Sequence, residues 1–528
     1  MNKVEQIKQE KDGLDVWEDI FRYAEQGFDA ITEDDLTRLR WYGIYQQRPN
    51  NGHFMLRVRI PGGVLTSAQA AELAALARDR GRGFCDITTR QDIQFHWLTI
   101  ADMAEVLPRL AGVGLTTKEA CGDVTRNITG CPLHGVNADE IIDPTPLIER
   151  IGARILNDDA FSNLPRKFKI CISGCPAQCA KPEINDLGLL AVKHPETGVV
   201  GYNVTVGGGL STQPRFARNL DAWVTEDQAV DLAVAVTEIF RDDGYRVSRH
   251  RARLKYLVDD WGPEEFRARL QVKLPFTLSA GVPMEWEDTY EDHIGIRPQS
   301  QRGLFSLGIT VLVGRISAEQ LAAASDVAGR FGQGRLRTTL GQNLIVLDVA
   351  GEDVAEASRV LADAGLTVGA GPVERGAVTC TGIEFCNLAV VETKERMREI
   401  VSFVGANAAV DSPFRMQMNG CPNSCGQHHI ADIGFQGGRV KIDGQVHECF
   451  DISVGGGLGN DRAFTHTIRR KVLAEDAKTV VANLMNAYTE RRETGESFKA
   501  FIRRNTDEDL AAYLGGTEIP ADAEVMEG

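Results

Sequence analysis

Among the eleven cysteines of this 528-residue chain, four form two close pairs: Cys380 and Cys386, with five residues between them, and Cys421 and Cys425, with three. Four thiolates brought to one place hold either a structural zinc ion or an iron–sulfur cluster. Zinc turns usually place two residues between paired cysteines, and neither pair does. The spacing therefore favours a cluster over zinc and leaves unligated, buried cysteines as a third reading. Cys421 and Cys425 are four apart and could share one face of a helix, whereas Cys380 and Cys386 need an irregular loop to converge.

The second pair lies in NGCPNSCGQHHIADIGFQGG (419–438), which has a twin in SGCPAQCAKPEINDLGLLAV (173–192). The duplication extends further. With a constant shift of 251, Leu65 and Thr66 fall on Ile316 and Ser317, Gln69 on Gln320, Gln91 on Gln342, and Gly114-Leu115-Thr116 on Gly365-Leu366-Thr367. Each copy reads as strand, helix (LTSAQAAELAALARDRG and ISAEQLAAASDVAGRFG), strand (FCDITTRQDIQFHW and RLRTTLGQNLIVLD) and a second helix ending in Gly-Leu-Thr, a small α+β unit. A longer segment follows each copy, with the GCPxxC motif recurring at a shift of 246 and VGGGL (206–210 and 454–458) at 248. The expected organisation is an N-terminal arm (1–50), a small unit (51–120), a large unit (121–274), a linker (275–305), a second small unit (306–370), a second large unit (371–516) and an acidic tail (517–528). Duplicated units of this kind tend to pair about a pseudo-twofold axis and to place a site at the seam.

Composition narrows the classes. A chain of 528 residues, 43% of them apolar, exceeds what one core organises. The N-terminus MNKVEQIKQEKDGLD has no hydrophobic signal core, and no apolar run approaches a membrane span, which points to the cytoplasm. Thiols stay reduced there, so clustered cysteines indicate metal or redox chemistry rather than a disulfide framework. A net charge of −16 argues against nonspecific nucleic-acid binding. The basic clusters RDRGR (78–82) and RHRARLK (249–255) read first as solvated faces.

CTGIEFCNLAVVETKERM (380–397) followed by NGCPNSCGQHHIADIGFQG resembles the sirohaem-containing nitrite and sulfite reductases, and the resemblance continues through FMLRVRIPGG (54–63), TTRQDIQFHW (88–97), TRNITGCP (125–132), LPRKFK (164–169) and VGGGL. It covers nearly all of residues 40–510. It implies an internally duplicated α+β fold, with two ferredoxin-like half-domains and two larger α/β sirohaem-reductase domains about a pseudo-twofold. It also implies a [4Fe–4S] cluster held by Cys380, Cys386, Cys421 and Cys425, the Cys425 sulfur serving as axial ligand to the sirohaem iron as well. A shift of 254 places Arg126 over Cys380, so one copy kept the metal and the other supplies cations. Sirohaem carries many carboxylates and the substrate is an anion, and burying that charge requires paired cations. By this resemblance Arg59, Arg126, Lys167 and Lys169 surround the substrate and deliver protons, while Arg57 and Arg90 lean towards the porphyrin carboxylates. In strand-like stretches Arg57/Arg59 and Lys167/Lys169 each share a face. Cys171, Cys175 and Cys179, with Cys131 beside the position of Cys386, read as a relic of the duplication packed as small apolar side chains, a second cluster being the alternative. Cys85, Cys121 and Cys449 read as core. His53 stands where some sulfite-reducing relatives have a tyrosine, and its role is open.

TGIEFC, NGCPNSCGQ and TRNITGCPLHGVNADEIID resemble ferredoxin-dependent assimilatory nitrite reductases, whereas Lys169 suits the bulkier, doubly charged sulfite; nitrite is the expected substrate and sulfite the alternative. A precorrin-modifying enzyme of the same fold and a non-enzymatic metal protein are the competing classes. No segment reads as a flavin or nicotinamide domain, because VGGGL lacks the strand–GxGxxG–helix context. Electrons must then come from outside, with ferredoxin as the expected partner, residues 249–255 or Arg335/Arg337 as candidate docking cations, and a monomer as the expected state.

Overall fold

The computed structural model describes residues 2–156, 158–286 and 291–515 and the backbone of the strand Glu524–Met526. The rest of the expected acidic tail (517–528) and residues 287–290 of the expected linker lie outside the described residues.

In the strand His53–Val58, Phe54, Leu56 and Val58 are buried while His53, Met55 and Arg57 alternate to the other face. The helix that follows starts from a capping box in which Thr66 and Gln69 each satisfy the other's backbone N–H. The second copy repeats it with Ser317 and Gln320, so those sequence matches are helix-start signals. The segments FCDITTRQDIQFHW and RLRTTLGQNLIVLD, read above as single strands, are hairpins: Phe84–Ile87 with Ile93–Thr99, and Arg335–Thr338 with Leu344–Ala350. Their polar tips break the pairing, and the matched residues Gln91 and Gln342 turn the chain at φ of 63° and 64°.

The two small units exchange an edge strand. Arg315–Ser317 completes the first sheet against Phe84–Ile87, and Val64–Thr66 completes the second against Arg335–Thr338. Ser317 pairs with Phe84 and Thr66 with Arg335, a reciprocal match under the 251 shift. The same reciprocity links Gln91 Nε2 to the Thr338 carbonyl and Gln342 Nε2 to the Ile87 carbonyl, both at 3.0 Å. Such exchange requires a pseudo-twofold axis between the copies. The helices Ser67–Asp79 and Ala318–Phe331 pack together, and one apolar core runs through both small units.

Each large unit has its own core and a mixed sheet. In the first, Thr129–Gly130, Ile170–Ser173 and Leu187–Lys193 run parallel and Val200–Val206 and Arg218–Val224 continue antiparallel. The second repeats this with Ala377–Thr379, Met416–Asn419, Ile433–Ile442, Gln445–Val454 and His466–Leu473. The arm straps the first half: Lys8 Nζ donates to the Leu164 carbonyl at 2.8 Å and Trp41 Nε1 to that of Ser162 at 2.7 Å. No helix among the described residues is long and apolar enough to cross a membrane.

Candidate active site

Cys380 follows directly on Ala377–Thr379 and Cys421 comes one residue after Met416–Asn419, neighbouring parallel strands whose carboxyl ends open on one side of the sheet. The loop from Cys380 folds back through the Cys386 N–H to Gly382 carbonyl bond (3.0 Å) and that from Ile383 to Val391 (2.9 Å), returning Cys386 towards the strand ends. Residues 421–427 are successive turns with Ser424 at φ 55°, not the helix that the four-residue spacing allowed, because Pro422 and the left-handed Ser424 and Gln427 interrupt it. Gly426 has no room for a side chain: a Cβ there would lie 2.5 Å from the Met418 carbonyl and 3.1 Å from Cys380 N. Burial, with the nearby Cys425 sulfur among the further causes, pushes the thiols of Cys380 to about 12 and Cys421 to about 11 and raises that of Cys386. The Gly420 N–H lies 3.1 Å from the Cys380 sulfur and Asn423 Nδ2 lies 3.6 Å from that of Cys421, donors suited to thiolates.

The first half faces these loops with cations. Thr89 at the hairpin tip donates to the Cys425 carbonyl at 3.0 Å, which places its neighbour Arg90 at the seam. Arg57 and Lys167 both lie within electrostatic reach of Cys425. Phe168 bridges Thr125 in parallel register, with the Arg126 N–H on its carbonyl at 2.8 Å, so Lys167 and Lys169 alternate to the opposite side. Burial, then repulsion from Arg253, lowers Lys167 to about 7; burial, then Arg90, Lys167 and Arg253, lowers Lys169 well below its ordinary value. Burial takes Arg90 to about 10 and also lowers Arg59. Arg126 is buried, its Nη2 2.7 Å from the Gly122 carbonyl. The expected cations Arg57, Arg59, Arg90, Arg126, Lys167 and Lys169 thus form a continuous patch opposite the cysteine loops.

This geometry coincides with one family. The model of the nitrite and sulphite reductase 4Fe-4S domain matches residues 121–278 and 370–512, and that of the nitrite/sulfite reductase ferredoxin-like half domain matches 45–113 and 297–364. The chain belongs to the nitrite and sulfite reductase family. It is 37% identical to the assimilatory ferredoxin-dependent nitrite reductase of Haloferax mediterranei, across 99% of this chain and 95% of that one. It is 38% identical to a ferredoxin sulfite reductase of Mycolicibacterium paratuberculosis, across 97% and 96%. The solved structure of the Mycobacterium tuberculosis NirA protein superposes with a TM-score of 0.92 at 37% identity, covering 96% of this chain and 97% of that one.

The cofactors of this nitrite and sulfite reductase family member are a sirohaem and a [4Fe–4S] cluster. The residues fit both. Cations whose pKa values fall because burial outweighs their anionic neighbours call for a polyanion among them. Arg59 Nε, Arg90 Nε and Asn127 Oδ1 are buried without hydrogen-bond partners. Among the described residues, the cysteines gathered within 4.8 Å of one another are Cys131, Cys175 and Cys179. Cys380, Cys386 and Cys421 all lie within electrostatic reach of the Cys425 sulfur, so the four thiols share one neighbourhood at the strand ends.

Several expectations change. Arg253 is buried on Asp186 at 2.8 Å, Lys255 Nζ donates to the Leu210 carbonyl at 2.9 Å, Arg249 pairs with Asp123 at 2.7 Å, and Arg337 is buried. Arg335 is held by Asp348 at 2.5 Å. Arg253, Lys255 and Arg337 therefore support the interior, whereas His250, Arg251 and part of Arg335 remain at the surface. Asp92 was not anticipated: its carboxylate lies among Arg57, Arg90 and Arg59, and burial raises it to about 6. Asp186, which accepts from the Lys169 N–H at 3.0 Å, was also missed, although it is the aspartate closing the repeated GCPxxC unit. His53 Nδ1 lies 2.7 Å from Asn51 Oδ1, and its ring meets Trp97 edge-on. Cys85, Cys121 and Cys449 are core, as expected.

Proposed function

We propose that this chain catalyses the six-electron reduction of nitrite to ammonia with electrons from reduced ferredoxin, and that Cys380, Cys386, Cys421 and Cys425 hold the cluster. The observation that carries an anion-reducing site is the patch of buried, under-neutralised cations facing Cys425. A bound sirohaem and cluster would supply the low-potential electrons for the reduction. The protein's own part is electrostatic and acid–base. Arg59 and Arg126 orient the anion, and Lys167 and Lys169, drawn towards neutrality by burial and by neighbouring cations such as Arg253 and Arg90, pass protons to the oxygens that leave as water. Arg57 and Arg90 receive the carboxylates of the tetrapyrrole. Ferredoxin as donor is supported by the names of the relatives and by the lack of a nicotinamide or flavin motif in the sequence.

Nitrite is favoured over sulfite by the TGIEFC and TRNITGCP motifs and by the relative that matches 99% of the chain. The second reading, reduction of sulfite to sulfide, is supported by the paired lysines Lys167 and Lys169 and by the sulfite-reducing relative. Anaerobic, dye-reduced protein given each anion separately decides between them. Ammonia formed at the higher kcat/KM supports the nitrite reading, and sulfide formed at the higher kcat/KM overturns it.

A further inference from the structure

The first half repeats the cluster-binding framework without the full set of thiols. Under the 246 shift Cys175 and Cys179 are the counterparts of Cys421 and Cys425; Cys131 lies beside the counterpart of Cys386, and Arg126 occupies that of Cys380. Cys131 follows Thr129–Gly130 and Cys175 lies just past Ile170–Ser173, so both leave the carboxyl ends of paired parallel strands. The sulfurs of Cys131, Cys175 and Cys179 all lie within 4.8 Å of one another.

A fourth donor comes from outside the repeat. His293, 3% exposed, enters from the linker with Nε2 3.6 Å from the Cys131 sulfur and 3.2 Å from that of Cys179. Its backbone sits at φ 59°, a conformation that a side chain resists, so the local fold holds it there against strain. Its Nδ1 lies 3.2 Å from Glu291 Oε1, which is itself held by Arg297 at 2.9 Å. That oxygen accepts from the His293 backbone N–H at 2.9 Å, and with the carboxylate on the Nδ1 side of the ring, Nε2 is the nitrogen turned towards the sulfurs. Cys171 stands apart, its thiol donating to the Ala180 carbonyl at 3.0 Å.

The distances select the metal class. A tetrahedral ion with Zn–S of about 2.3 Å and Zn–N of about 2.0 Å sets its sulfurs roughly 3.8 Å apart and its nitrogen about 3.6 Å from each sulfur. His293 Nε2, at 3.6 and 3.2 Å from two of the sulfurs, is near that spacing, and the three sulfurs, all within 4.8 Å of one another, need only a small contraction to share one ion. A cubane would spread its ligands over four separate irons and needs a wider set. A cavity of about 80 Å³ touches Cys179, His293 and Glu291 and gives an ion a way in. The same cavity is lined by Thr339, Gly341 and Arg415, the counterparts of Thr88, Arg90 and Lys169, so it is the copy of the anion site.

We propose that Cys131, Cys175, Cys179 and His293 bind one zinc ion, which pins the linker to the first large unit at the duplicated counterpart of the iron–sulfur site. Binding releases the thiol protons to solvent and involves no change of oxidation state.

The test is zinc and iron analysis of the holoenzyme after exhaustive dialysis against a chelator, with zinc X-ray absorption on the same sample. The expected result is about one zinc per chain in a three-sulfur, one-nitrogen shell. Cys175→Ser and His293→Ala should each lose most of that zinc with iron content unchanged, and Cys171→Ser should keep it. The wild-type absorption spectrum decides the matter even if a variant fails to fold. Removal of zinc by the chelator, a disulfide among the three cysteines, or iron in place of zinc at this site would each overturn the proposal.

Discussion

Lys181 Nζ donates to Gln427 Oε1 at 2.7 Å, and the two residues are duplicates of one another, 246 positions apart. Residues related by a pseudo-twofold can touch their own counterparts only where the axis passes between them. Phe216 and Phe464, related by the 248 shift of the VGGGL motifs, mark it again: their rings stack with centroids 3.9 Å apart and planes within 5°. The two large units therefore meet face to face beside the cluster loop, so the geometry of that loop depends on the pairing of the halves.

The stack gives the first prediction. A double-mutant cycle of Phe216→Ala and Phe464→Ala, read by denaturant unfolding, should show a coupling energy of about 0.5–1.5 kcal/mol. Strict additivity would mean that the halves do not meet through this pair.

Asp86 is a second junction. Its carboxylate, 2% exposed, is met by Arg315 Nε at 3.0 Å, Lys394 Nζ at 3.5 Å and His96 Nε2 at 3.4 Å, joining the first small unit to the second half. Burial alone would raise its pKa, but Lys394, His96 and Arg315 together hold it well below the usual carboxylate range. The unfolded chain takes up this proton near pH ~4 while the folded one does not, so the contribution is complete above about pH 4 and is lost as pH falls below it. Asp86→Ala should cost about 3–5 kcal/mol and flatten the acid limb of the stability curve. A loss below 1 kcal/mol, on the order of a surface pair, would contradict this.

Lys167 carries a pH signature. It is lowered to about 7 chiefly by burial, and the anions of a bound cofactor can only raise it. As the proton donor it must be charged, so kcat/KM should fall as pH rises through a limb at or above 7. Lys167→Met should lower kcat by about 10²–10⁴-fold and remove the limb. An unchanged profile would take Lys167 out of proton delivery.

Much of this was legible in the residues, for identifiable reasons. The Thr66/Gln69 and Ser317/Gln320 matches are local capping signals, and local signals survive translation from sequence to structure. The Gln91/Gln342 match was visible, but its role in clasping the opposite copy depends on a strand exchange that no local pattern announces. The hairpins were missed because their polar tips read as interrupted strand. Arg249, Arg253 and Lys255 looked like part of the surface patch that His250 and Arg251 do form, because charge in a sequence does not show its partners, and Asp123, Asp186 and the Leu210 carbonyl lie far away along the chain. His293 has no repeat mate among the cysteines it meets, so only the fold brings it to them.

The central claim is that Cys425 belongs to the metal centre facing the cationic patch, and the most direct measurement compares Cys425→Ser with Cys449→Ala, which alters a buried core cysteine of the same unit. Iron content, the visible tetrapyrrole spectrum and nitrite turnover would be recorded together on anaerobically purified protein. The account predicts that Cys425→Ser loses the wild-type spectrum and turnover while Cys449→Ala keeps both. A Cys425→Ser protein with the wild-type spectrum, iron content and turnover would contradict it.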